Sequence, residues 1–456
     1  MSKMYNTRKL YLLWFITVLL FLCTFLTSLH IEHSFRRPSL PTSYTSFLWG
    51  KIENSKSQWY TTEEIVKRTS SCRHYFKTFP VFGLSDHLLE LERTRISKQF
   101  SLSFAHLVHK DIAILEVFLS IYFRPDNFHC IHVDAKVDDI IVKAVANLVK
   151  CYSEKVKNGA IFMIPKTESI SVEHAQNTTL IADMKCHQKL LDYRVNGEVA
   201  WAYDLSLAGT ELPMLSYSEF HNTLSQNLGK AESSVESFLI PEDNVKDRIT
   251  NEQLSVADIL TTNNNKKYYF HLNYKNSKKI NFQLFKGSRY VILSAKDADF
   301  IINHPVSKLF FDWIQPGSST DEQFYATLIR MNVTKDVITQ NTNANITKHT
   351  KGGITFTDGN TLHGICPHYV HWHERWRDGC NGEWINSICV FNRDDLQELR
   401  EDPDGCLIAN KFSLDVDPTA ITLQLLYLLH KTCSESNSCY ETVWNDYLAK
   451  IDVLMT

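Results

Sequence analysis

Residues 127–134 read NFHCIHVD. An apolar run broken only by histidines and a cysteine, and closed by an acid, is the pattern of a strand buried on both faces. Its surroundings agree. FAHLV (104–108) reads as a second buried strand, DIAILEVFLSIYF (111–123) and IIVKAVANLVKCY (140–152) have helical spacing, and GAIFMI (159–164) is a third strand. Strands alternating with helices at this interval predict an α/β fold with a mainly parallel central sheet. Such sheets bind ligands beyond the carboxyl ends of their strands, which makes Asp134 a candidate site residue. Further along, IADMKCHQKLLDYRV (181–195) reads as a helix, WAYDLSLAG (201–209) and QLFKGSRYVIL (283–293) as strands, and SAKDADFIINH (294–304) as a helix. Residues 225–282 are polar and irregular around TTNNNKK (261–267), and read as an insertion or a mobile loop over a site. No internal repeat is visible.

The 456 residues are 44% hydrophobic and 22% charged, an ordinary globular composition. The net charge of −3 provides no basic stripe for nucleic acid. From Leu10 to Leu29 no residue is charged, which is about the 20 residues a helix needs to cross a bilayer. Lys3, Arg8 and Lys9 precede it, favouring a cytosolic N-terminus. The expected organisation is a cytosolic tail (1–9), a transmembrane signal-anchor (10–29), a polar stem (30–70) and a luminal domain (71–456), with single-pass type II topology. Of eleven cysteines, Cys23 falls in the span and ten follow it, an even number suited to an oxidising compartment. Asn177, Asn332 and Asn345 open Asn-x-Thr sequons for glycosylation.

STDEQFYATL (319–328) admits two readings. Ser319-x-x-Glu322 and Thr320-x-x-Gln323 both fit a capping box, with acids suited to the first turn of a helix. The same acids could do chemistry. HGICPHYVHWH (363–373) holds four histidines and a cysteine, but the spacing matches no familiar closed zinc site. Two Asp-x-Asp triplets, Asp297–Asp299 and Asp415–Asp417, are not read as metal sites: the first lies in a helix.

SCRHYFKT (71–78), LVHKD (107–111), IYFRPDNFHCIHVDAK (121–136), IADMKC, YDLSLAGTELP (203–213), LFKGSRYVILS (284–294), STDEQFYATL and IANKFSLDVD (408–417) occur in this order. Over residues 70–430 the chain resembles the core-2/I-branching β-1,6-N-acetylglucosaminyltransferases. The resemblance implies a Golgi type II membrane enzyme with a GT-A-like fold. It would transfer N-acetylglucosamine from UDP-GlcNAc to the C6 hydroxyl of GalNAc or galactose in O-linked or related glycans. It would invert configuration and use no divalent metal or other cofactor. Its partners would be a UDP-sugar donor, a glycan acceptor and the Golgi membrane, with a homodimer admitted and no nucleic acid.

Carried onto this chain, the resemblance makes Glu322 the catalytic base and Lys411 the cation on the donor diphosphate. Asp415–Asp417 then falls in a family segment without a metal role. Leu107, Val108, His109, Asp134, Ala135, Lys136 and His174 would hold the nucleotide, His174 replacing an aromatic residue. Trp372 would meet the acceptor, and the basic pair Lys246 and Arg248 is placed in the acceptor segment. The implied disulfides are Cys72–Cys151, Cys130–Cys186 and Cys380–Cys389, leaving Cys366, Cys406, Cys433 and Cys439 for two more pairs. One departure stands out: Asn386 occupies the position of a family arginine on the diphosphate, so another cation such as Arg393 could substitute, donor affinity could be lower, or the donor could differ. A UDP-glucose or UDP-xylose transferase, or an inactive membrane-anchored lectin, is the alternative.

Overall fold

A computed structural model describes residues 59–81, 85–228, 233–240, 242–255, 257–262, 265–274, 278–333, 338–340, 348–350, 353–355, 365–373, 379–401 and 406–433, with residues 439, 446, 449 and 450. The apolar stretch 10–29 and Asn345 lie outside them. No helix among the described residues is long and apolar enough to cross a membrane.

The alternation read in the sequence builds the core. Strands β1 (Leu102–Val108), β2 (Phe128–Val133) and β3 (Ala160–Met163) are parallel neighbours. Helix α1 (Ile112–Tyr122) links the first pair and α2 (Asp139–Ser153) the second. After α3 (Thr178–Leu191), β4 (Tyr203–Ala208) returns to the other side of β1, again parallel. β5 (Ile292–Ser294) closes that edge antiparallel, giving the order β5-β4-β1-β2-β3. This is a mixed α/β fold with a mainly parallel sheet. Every residue of β1, β2 and α1 is buried, which explains why these segments lack a polar face. The chain reverses direction across the sheet between β1 and β4, and the crevice beyond their carboxyl ends is where such folds take ligands.

A smaller sheet, ordered His368–Val370, Ile408–Asn410, Glu211–Pro213, continues from the end of β4. Its last strand directly follows Gly209 and Thr210, and its middle strand ends at Asn410. Gly209 donates its N–H to the Leu107 carbonyl at 2.7 Å, and a Cβ there would press on Leu107 O and Val108 Cα at 3.3 Å.

Two expectations change. Residues 59–70, read as the end of a stem, are folded: helix Thr62–Thr69 packs on α2, and the Arg68 guanidinium is paired with Glu116 of α1 in the core. Removing such a charge from water requires a partner, so this segment belongs with the domain. Within 225–282 the chain forms a three-stranded antiparallel meander, Asp258–Thr262, Asn265–Tyr274 and Lys278–Phe282. Phe270, Leu272, Ile280 and Phe282 are buried in the core beside Phe310 and Trp313.

The structure has disulfides Cys72–Cys151, Cys130–Cys186 and Cys380–Cys389, and resolves the open pairing as Cys366–Cys406 and Cys433–Cys439.

Candidate active site

The nucleotide candidates gather at the ends of β1 and β2. Val108 O accepts the Asp134 N–H at 2.9 Å, which locks LVH (107–109) beside DAK (134–136). Asp134 is buried, and its carboxylate accepts N–H bonds from Lys136 at 2.9 Å and Val172 at 3.3 Å. Ala135 N–H bonds Ile170 O, and Lys136 Nζ reaches Val172 O at 2.6 Å and Glu173 at 2.9 Å. Asp134 and Lys136 therefore hold the 170–175 loop against the strand ends. That loop carries His174, which is exposed.

The loop also leads to the acids. Ala175, in the left-handed region at φ 58°, accepts the Ser319 N–H at 2.9 Å. Ser319 is itself left-handed at φ 49°. Helix α4 (Asp321–Leu328) begins two residues later. The capping boxes do not form: Thr320 sits at the cap with helical dihedrals and its hydroxyl bonds nothing, while Glu322 N–H takes the Ser319 backbone carbonyl at 3.1 Å. Gln323 instead donates its amide to Ser318 O at 2.6 Å. The turn before the helix is too tight for either hydroxyl to reach back, so the first turn is held by backbone and Gln323.

That arrangement frees Glu322. Its side chain is 28% exposed and accepts from Arg248 Nη1 at 2.7 Å, with Lys286 Nζ at 3.4 Å from the same oxygen. Its backbone carbonyl accepts the Gly287 N–H at 2.7 Å. Gly287 is packed so closely that a Cβ would stand 1.8 Å from Glu236 O. Asp321 faces inward. Burial pushes its carboxyl up to about 6, against the pull of Arg289 and with repulsion from Glu322 and Asp183 adding to the rise. Arg289 is held by Asp183 of α3 at 3.0 and 3.2 Å, and behind it His187 spans Asp204 (2.6 Å) and Ser206 (3.1 Å) on β4. The two adjacent acids thus differ in kind: Asp321 feels the field of Arg289 and Asp183, while Glu322 is partly exposed between two cations.

Lys411 follows the strand Ile408–Asn410 and is half-buried. Burial lowers its pKa, the charge of Lys110 lowers it further, and Asp111 opposes them. His109 is lowered by burial and then by Lys110 and Lys411. Phe412 N–H bonds Thr210 O at 2.8 Å, which fixes this loop over the β4 end. Arg393, offered above as a substitute cation, is already paired. Its guanidinium is held by Asp417 at 2.9 and 3.1 Å, a pairing that orders the start of helix Pro418–Cys433. Asn386 and Ser387, at φ 52° and 62°, form the turn between strands Glu383–Ile385 and Ile388–Val390, a two-residue hairpin that favours asparagine. Trp372 is backbone-paired with Ile388 of this hairpin and half-exposed.

Each remaining acid of the Asp-x-Asp triplets also has a partner. Asp297 takes Ser233 and Ser294 hydroxyls at the start of helix Ala295–Asn303, Asp299 takes Arg194, and Asp415 takes Lys110 at 3.3 Å. Among the described residues six non-glycine residues have positive φ, and five of them, Asp111, Ala175, Ser319, Asn386 and Ser387, lie in the segments just described; such strain concentrates at functional sites. Sequence reasoning placed Arg248 in the acceptor segment and missed Lys110, Asp183, Lys286 and Arg289. All four lie in the quoted segments LVHKD, IADMKC and LFKGSRYVILS, and Lys110 also adjoins His109. Of the sequons, Asn177 is partly exposed just before α3, and Asn332 lies in strand Met331–Val333.

Comparison with known proteins gives a family model, core-2/I-branching enzyme, matching residues 102–400. The human N-acetyllactosaminide beta-1,6-N-acetylglucosaminyl-transferase is 25% identical over 84% of this chain and 85% of its own length. A human beta-1,3-galactosyl-O-glycosyl-glycoprotein beta-1,6-N-acetylglucosaminyltransferase is 23% identical over 89% of each chain. Mouse enzyme 4 of the latter name is 27% identical over 78% of this chain and 70% of its own.

Proposed function

The chain belongs to the core-2/I-branching enzyme family, and on that premise we propose that it transfers N-acetylglucosamine from UDP-GlcNAc to the C6 hydroxyl of GalNAc or galactose in an O-linked or related glycan. The observation that carries this reading is Glu322: a partly exposed carboxylate beside two cations, on a helix whose start is held by the nucleotide-side loop. The acceptor oxygen attacks the anomeric carbon while Glu322 takes its proton. The bond to the β-phosphate breaks on the opposite face, and its electron pair leaves with UDP. A single displacement of this kind inverts the anomeric centre and needs one base, a group worth about 10²–10⁴ in rate.

Lys411 steadies the departing diphosphate with a fixed charge, so the step runs without a divalent ion. Supporting this is the engagement of both Asp-x-Asp triplets with serines, arginines and a lysine. The names of the relatives support the donor sugar and a galactose-containing acceptor. The sheet order, with its crevice at the end of β1, supports a GT-A-like fold. The uncharged N-terminal stretch and the five disulfides support a type II anchor in the Golgi membrane.

Incubation with UDP-GlcNAc, UDP-glucose and UDP-xylose, with and without chelator, tests the reading. Chelator-insensitive UDP release with UDP-GlcNAc and a galactosyl or GalNAc acceptor is expected. Turnover only with another donor replaces the donor assignment, and sugar binding with no turnover for any donor favours a lectin.

A further inference from the structure

We propose that Lys110 is a second cation of the diphosphate subsite, parked on Asp415 and released from it when the nucleotide binds. The proposal rests on the reading of Lys411 given above. Lys110 ends the segment that leaves β1, and its ammonium lies 3.0 Å from Ser413 Oγ, two residues past Lys411. Ser413 in turn donates to Asp111 Oδ2 at 3.1 Å, and Asp111 holds the left-handed turn that opens α1. The Lys110 and Lys411 loops are therefore tied to each other beyond the end of β1. Two lysines on loops joined in this way, Lys110 about a third exposed, offer positive charge to an anion. Lys411 feels the charge of Lys110: its pKa is lowered first by burial and then by that charge, with Asp111 opposing both.

The countercharges of Lys110 are unequal. Asp111 stands at 3.4 Å, is 9% exposed and also takes the Ser413 hydroxyl; Asp415 stands at 3.3 Å and is 83% exposed. An ion pair with so exposed a carboxylate holds weakly, so exchanging Asp415 for phosphate oxygens costs little. A diphosphate presents oxygens to both lysines at once, whereas Asp415 satisfies one. Asp415 then acts as a competitor that keeps Lys110 aligned in the free enzyme. Asn386, neutral at the hairpin tip, adds no charge of its own, which leaves Lys110 as the complement to Lys411.

Binding of UDP and of uridine to the full-length chain, measured calorimetrically for wild type, Lys110→Met, Asp415→Asn and Lys411→Met, tests this. Lys110→Met is expected to weaken UDP about tenfold, the scale of one charged hydrogen bond, and to leave uridine unchanged. Asp415→Asn, a surface change, is expected to tighten UDP a few-fold. Wild-type UDP affinity in Lys110→Met, an equal loss for UDP and uridine, or no gain in Asp415→Asn overturns the proposal. If Lys411→Met alone loses UDP affinity, the diphosphate reading survives this failure; if Lys411→Met also binds UDP normally, that reading fails too.

Discussion

The two charged clusters of this molecule are built on opposite plans. At the end of β1, two lysines are crowded together and their best-placed acids are a buried turn residue and a loosely held surface carboxylate. At the start of α4, one carboxylate is flanked by Arg248 and Lys286, while its neighbour Asp321 is drawn into a buried network. The first arrangement has positive charge to offer an incoming anion. The second holds a partly exposed carboxylate between two cations. A transferase that moves a sugar from a diphosphate to an alcohol needs both, and needs them apart. The 170–175 loop connects them: Asp134 grips one end and Ser319 the other.

The comparison can be broken from either side. The largest expected effect within the cation cluster is Lys411→Met, which should lower UDP affinity about tenfold to a hundredfold, read by calorimetry, while thermal stability is retained. An unchanged affinity would mean the crowding of lysines is a surface accident. Next is Gly287→Ala. The added carbon collides with Glu236 O, so the backbone beside Lys286, which bonds the Glu322 carbonyl through the Gly287 N–H, must shift. Loss of about 1–3 kcal/mol in denaturant unfolding is expected, together with a fall in kcat. The smallest effect is a pH signature. Asp321 has its carboxyl raised to about 6, so the native state holds a proton that the unfolded chain releases near the ordinary carboxylate range. Its stabilising contribution is present below that range and is lost as pH rises through about 6. Melting temperatures of wild type and Asp321→Asn should therefore diverge between pH 4 and 6, with the wild type losing ground as pH rises; parallel curves would show that Asp321 is not buried as described.

The parallel half of the sheet was legible because burial on both faces leaves no choice of residue: NFHCIHVD and FAHLV could be little else. The meander at 258–282 was not, because an antiparallel sheet with one wet face dilutes its apolar residues with lysines and asparagines, and its signal resembles that of a loop. In the candidate site, Glu322, Lys411 and the strand-end residues were read from ordered motifs. The capping boxes were misread because a positive φ at Ser319 is invisible in a serine. Arg248 and Lys286 reach Glu322 from 74 and 36 residues away in sequence, and Arg289 reaches Asp183 across the fold, contacts that no local spacing encodes.

The account stands on Glu322 taking the proton of the acceptor hydroxyl. Glu322→Gln keeps the size of the side chain and its contact with Arg248 while removing the basic oxygen. Turnover and UDP affinity measured on the same preparation decide the matter. The account predicts kcat reduced by about 10²–10⁴ with UDP bound as tightly as in wild type. Turnover within a few-fold of wild type would contradict it, since the proton would then have to leave by another route.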